Sequence, residues 1–71
     1  MEKGLIALSA AIAIAVSGLA TAWAQSKIGS AGAGAIAEKP EVSGTIIILM
    51  AIPETMVILG FVIAVMIILG T

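Results

Sequence analysis

Two long apolar runs are separated by one polar patch. Residues 4–24 carry no charge, and residues 42–71 carry a single one, Glu54. Between the runs lie Gln25, Ser26, Lys27 and the cluster Glu38-Lys39-Pro40-Glu41. At about 1.5 Å per residue, either run is long enough to cross the roughly 30 Å hydrocarbon core of a bilayer. Lipid offers no hydrogen bonds to the backbone, so each run must satisfy its own peptide groups as a helix. Pro40 disfavours helical geometry at Lys39 and ends the first helix there or just before. A short turn then makes the two helices antiparallel neighbours. The pattern predicts one unit over residues 1–71, an all-α transmembrane hairpin. Helix one is expected at about 4–35, a polar loop at about 36–42, and helix two at about 43–70.

Composition supports lipid as the solvent. The chain has 71 residues, 62% of them hydrophobic. A water-soluble domain of that size buries only about 60% of its unfolded surface, too little to hide so many apolar side chains. The net charge of −1 argues against a nucleic-acid partner. With no Cys and no His, the chain lacks thiol chemistry, the commonest metal ligand and the commonest general base. No catalytic residue is expected, and no cofactor.

The two runs differ in texture. Ala7, Ala11, Ala15, Gly18 and Ala22 recur at helical spacing in the first. Small residues let membrane helices approach closely. The second run is bulky, rich in Ile, Leu, Val and Met, with Phe61. A thin helix beside a thick one suggests a homo-oligomeric ring with thin helices on the inner wall and bulky ones facing lipid. The plain alternative is an isolated pair in which Ala is simply a good apolar helix former. A signal-peptide reading also exists, because Ala22-Trp23-Ala24 resembles a cleavage site. The apolar stretch exceeds the usual 7–15 residues, and no proline interrupts residues 25–37. The segment is therefore expected to be retained.

Glu54 carries the chemistry. An ionised acid at the centre of a membrane helix costs about 2.5–3.5 kcal/mol on insertion scales, and such residues usually mark an ion or proton pathway. Equal distance from the turn means equal depth in an antiparallel hairpin. Counted from a turn between Lys39 and Pro40, Gln25 lies level with Glu54. Its amide can donate to a carboxylate, and its oxygen can accept or bind a cation. Ser17, Thr21 and Gln25, four apart, put a polar stripe on one face of helix one. Pro53 has no N–H, so the Leu49 carbonyl loses its donor and helix two kinks beside the acid. Thr55 adds a hydroxyl. An acid, an amide, a hydroxyl and spare carbonyls make an oxygen-lined site for a proton or one small hard cation. The plain alternative is that Gln25 merely ends the first apolar run.

Three stretches carry a resemblance: Ala22-Trp23-Ala24-Gln25-Ser26-Lys27-Ile28-Gly29, residues 32–41, and Ile52-Pro53-Glu54-Thr55 with Ile58-Leu59-Gly60. In these the chain resembles the membrane rotor subunits (proteolipid, c or K) of archaeal A-type and related V-type rotary ATPases. The loop also resembles the Arg-Gln-Pro loop of F-type rotor subunits, but Glu38 and Lys39 stand where Arg and Gln would. The resemblance implies an ion-transporting rotor ring, not an enzyme by itself but a component of a proton- or sodium-translocating ATPase or ATP synthase. Glu54 would bind and release one H+ or Na+ per step against a stator subunit bearing an arginine. The implied ion ligands are Glu54 and Gln25 of one hairpin, with Thr55 and the Ile52 carbonyl of a neighbour; a sodium ion would sit at Glu54 and Gln25. Sodium-type members often carry Gln after that threonine, where this chain has Met56, so the poorer ligand set leans slightly towards protons. Glu38, Lys39, Pro40 and Glu41 would hold the central stalk. The location implied is the cell membrane, with the loop cytoplasmic and both termini opposite. A function from another class stays open, a small oligomeric pore-forming or regulatory membrane peptide.

Overall fold

In the computed structural model, which describes residues 2–70, the chain folds into a single helical hairpin 54 Å long. Helix α1 runs from Lys3 to Glu38. Glu2 caps its start, its carboxylate accepting from the Gly4 N–H at 2.9 Å. That contact satisfies a free donor and sets a negative charge at the positive end of the helix. The far end stops where Pro40 requires. Lys39 takes an extended conformation (φ −136°, ψ 87°), and its N–H closes onto the Ala35 carbonyl at 2.8 Å. Pro40–Val42 form one tight 3-10 turn, and α2 follows from Ser43 to Ala51. Helix α3 spans Glu54–Leu69 and ends on Gly70, which adopts φ 76°, a left-handed cap that glycine accepts without steric cost.

Two boundaries differ from the sequence reading. Helix α1 continues to Glu38, so residues 36–38 are helical and the loop shrinks to Lys39 and one 3-10 turn. Residues 29–37 contain no proline, and Gly29, Gly32 and Gly34 weaken the helix without breaking it, so it runs on until the proline stops it. The second limb is two helices, α2 and α3, not one continuous span over 43–70. The break falls at Ile52 and Pro53. Both limbs, Lys3–Glu38 and Pro40–Leu69, are long and apolar enough to cross a membrane. Helix α1 also passes without interruption through Ala24 and Gln25.

The contact seam is narrow. On α1 it buries Ala10, Thr21 and Gly32, and on the returning limb Pro53 and Ala64. Positions 46, 50, 53, 57, 60, 64 and 67 of that limb are all partly or fully buried. The steps of four and three give the 3.5-residue repeat of helices wrapping with a small left-handed crossing. The seam has no room for a side chain at Gly60, where a Cβ would meet Ser17 and the Ala13 carbonyl, or at Gly32, where it would meet the Ile46 side chain. The expected small-residue stripe is not this seam. Ala7, Ala11, Ala15 and Ala22 are exposed, and only Gly18 is partly covered. Most of that stripe lies one position beyond the seam, about 100° further round the helix. The hairpin leaves it free, along with Leu19, Trp23 and Leu69, each at least two-thirds exposed.

Candidate ion site

The site begins with a proline. Pro53 has no N–H to give the Leu49 carbonyl, and the helix breaks into tighter geometry around it. Ile52 N–H reaches Ile48 at a long 3.3 Å, and Thr55 and Met56 donate to Ile52 and Pro53, three residues back instead of four. The break also makes Glu54 the first residue of α3. Its carboxyl thereby stands at a helix N-terminus, the end that carries partial positive charge.

Side chains of α1 meet the break from the other limb. Gln25 Nε2 donates to Glu54 Oε2 at 2.7 Å and to the Met50 carbonyl at 3.1 Å. One amide therefore joins the acid to the backbone on the far side of the break. One turn earlier, Thr21 Oγ1 donates to the Pro53 carbonyl at 2.9 Å. Thr55 Oγ1 donates to the Ile52 carbonyl at 2.8 Å. Thr55, Ile52 and Glu54 lie on the exposed surface of the hairpin, while Gln25 is partly covered.

The expected pairing of Gln25 with Glu54 is thus present as a direct hydrogen bond. Thr55 and Ile52 are brought to the same break but bond to each other, not to the acid. Glu38, Lys39, Pro40 and Glu41 gather at the exposed tip, at least a dozen residues from both Gln25 and Glu54 and so about 20 Å away along the axis. The sequence reading gave Thr21 only a place on a polar stripe and did not consider the Met50 carbonyl. The signal for Thr21 was its spacing of four from Gln25, which puts both on the face that meets the proline. Ser17, the third member of the stripe, turns back to its own helix, donating to Ala13 at 2.7 Å and to Ile14 at 3.2 Å. Among the described residues no group of three acids, histidines or cysteines could hold a metal ion. A cation here would rest on one carboxylate and on neutral oxygens.

Comparison with known proteins converges on one family. The family model for the C subunit of ATP synthase matches residues 8–67. The chain is 43% identical over 68 residues to the V-type sodium ATPase subunit K of Enterococcus hirae, covering 96% of this chain and 44% of that protein. It is 36% identical over 61 residues to the A-type ATP synthase subunit K of Methanocaldococcus jannaschii, covering 86% of this chain and 28% of that protein. The chain spans less than half the length of these curated relatives.

Proposed function

The chain belongs to the family of ATP synthase C subunits and is a membrane protein, and from that premise we propose that it is the ion-carrying subunit of a rotor ring in a membrane rotary ATP synthase or ATPase. The observation that carries the reading is the 2.7 Å hydrogen bond from Gln25 to Glu54, made between two membrane-length helices beside a proline break. An acid so costly to place in lipid is matched there by one partner of suitable chemistry.

The mechanism follows from charge and solvent. Facing lipid, the Glu54 carboxyl is neutral, either protonated or paired with a cation. Facing an arginine of the stator subunit and a water-filled half-channel, it releases its ion. A ring that cannot carry a bare carboxylate through lipid turns only as sites are reloaded, and this links ion passage to torque. Each charge crossing 100 mV supplies about 2.3 kcal/mol, so one ATP needs several steps and the ring several copies. Glu38, Lys39, Pro40 and Glu41 hold the central stalk on the cytoplasmic side, and both termini lie opposite. Lys27 and Lys39 against Lys3 favour that orientation. The subunit does no nucleotide chemistry of its own.

The carried ion is a proton or sodium. Gln25 uses its NH2 on Glu54 and Met50, which leaves its oxygen as an acceptor. A sodium ion would take that oxygen and Glu54 from one copy, with Thr55 and the Ile52 carbonyl from the next. The test of the carrier role is Glu54→Gln, which keeps shape and hydrogen bonding but cannot ionise. Assembled oligomers with ATP-driven ion transport abolished are expected. Transport at the normal rate in this variant overturns the reading.

A further inference from the structure

Helix α1 carries four hydroxyl side chains besides Ser30. Ser9, Ser17 and Ser26 each donate to a carbonyl of their own helix, at Leu5, Ala13 and Trp23. That is the usual outlet for a hydroxyl in a helix. Thr21 alone reaches the other limb, at the Pro53 carbonyl. It is also the only buried polar residue among the described residues, 4% exposed. The oxygen it holds belongs to the peptide group whose nitrogen is that of Glu54. The direction of that carbonyl therefore fixes the start of α3 and the take-off of the acid.

Thr21 and Gln25 sit one turn apart and hold carbonyls on the two sides of the break, Pro53 and Met50. With Pro53 unable to donate, the break has no hydrogen bond of its own across the Leu49 position. Side chains of α1 supply the missing stiffness. We propose that Thr21 is a positioning residue for Glu54: its hydroxyl clasps the Pro53 carbonyl and so keeps the carboxyl within reach of Gln25 as the ion is bound and released. This rests on the reading of Glu54 as the ion carrier. Without the clasp, α3 can swing about the break, and the carboxyl spends more of its time away from Gln25 and open to lipid-borne reagents.

The test compares Thr21→Val, which keeps shape and loses the hydroxyl, with Thr21→Ser, which keeps the hydroxyl. Each variant is purified as the assembled oligomer, checked by native mass, and treated with a hydrophobic carbodiimide at one fixed pH. The rate of modification of Glu54 is then read by mass spectrometry. Thr21→Val is expected to be modified roughly fivefold faster, the weight of one lost hydrogen bond, with Thr21→Ser close to the parent rate. Equal rates in Val variant and parent overturn the proposal. So does a Ser variant that behaves like Val, because the methyl packing would then be what matters. If Thr21→Val does not assemble, Thr21→Ala replaces it. Failure of both while Ser assembles makes the hydroxyl a folding requirement and also overturns positioning. Failure of the carrier reading shows separately, as normal ion transport in Glu54→Gln.

Discussion

Gly60 has no room for a side chain against the other limb, and the consequence of a single methyl there can be worked out. A Cβ on Gly60 would collide with Ser17 Oγ, lie 2.7 Å from Ser17 Cβ, and lie 3.0 Å from the Ala13 carbonyl oxygen. Carbon atoms in comfortable contact sit about 3.5–4.0 Å apart, so α3 must retreat by roughly 1 Å. Ser17 cannot yield by rotation alone, because its Cβ is fixed to the backbone and its hydroxyl is tied to Ala13 and Ile14. Overpacking of this kind costs about 1–3 kcal/mol. A retreat of about 1 Å carried along α3 would also stretch the 2.7 Å bond between Gln25 and Glu54 beyond hydrogen-bond range. Gly60→Ala is therefore expected to lower both the dissociation temperature of the detergent-solubilised protein and ion transport. Ser17→Gly removes the two nearest atoms and leaves only the Ala13 oxygen at 3.0 Å, so the double variant should regain most of the loss. The coupling read from the four proteins of the cycle should reach about 1 kcal/mol or more. A Gly60→Ala protein as stable as the parent, or a double variant that loses the sum of both single effects, refutes the packing described for the seam.

Gly44 meets nothing within 4 Å, whereas a Cβ on Gly32 would run into Ile46. Gly44→Ala should thus raise stability by up to about 1 kcal/mol through helix propensity, and Gly32→Ala should lower it, as thermal dissociation will show. Ala11→Leu leaves the hairpin seam untouched, since Ala11 is exposed, but should block oligomer formation on a native gel if the small-residue face meets a second copy. For the ion, protection of Glu54 from carbodiimide by millimolar sodium at fixed pH marks a sodium carrier, and its absence a proton carrier. Met56→Gln should introduce or strengthen sodium protection by adding an oxygen next to Thr55, and an unchanged response would exclude that position as a ligand.

How far the sequence could be read depended on what each feature needed. The hairpin was legible because the lipid constraint leaves few choices: two apolar runs and one proline in a charged patch admit little else. The level of Gln25 with Glu54 was legible too, since it follows from counting outward from a turn. What counting could not give was rotation. A shift of one residue turns a side chain by about 100°, so the spacing of Ala7 to Ala22 did not say which face of α1 meets the other limb, and Ala10 and Thr21 occupy that seam. The break into α2 and α3 was signalled by Pro53, but its extent depends on how neighbouring side chains treat the freed carbonyls. Thr21 escaped for that reason. A threonine in an apolar helix normally bonds to its own backbone, and only the proximity of the Pro53 carbonyl redirects it.

The balance of energies at Glu54 points beyond one hairpin. An ionised acid at the membrane centre costs about 2.5–3.5 kcal/mol, and a side-chain hydrogen bond within a bilayer returns at most about 1.7 kcal/mol. The Gln25 bond alone therefore leaves a bare carboxylate unfavourable by at least about 1–2 kcal/mol while it faces lipid. The remaining oxygens near the break do not lessen that deficit within the hairpin, because Thr55 and Ile52 are occupied with each other on the exposed surface. Two things can: a bound ion that cancels the charge, or a second copy whose surface covers the acid and turns its own Thr55 hydroxyl from Ile52 to the carboxylate as a donor. A rotor uses both, the first while a site crosses lipid and the second throughout. The residual cost then has a use. It holds an empty site back from the lipid until an ion reloads it, which is the condition the proposed rotor needs for ion passage to be tied to rotation.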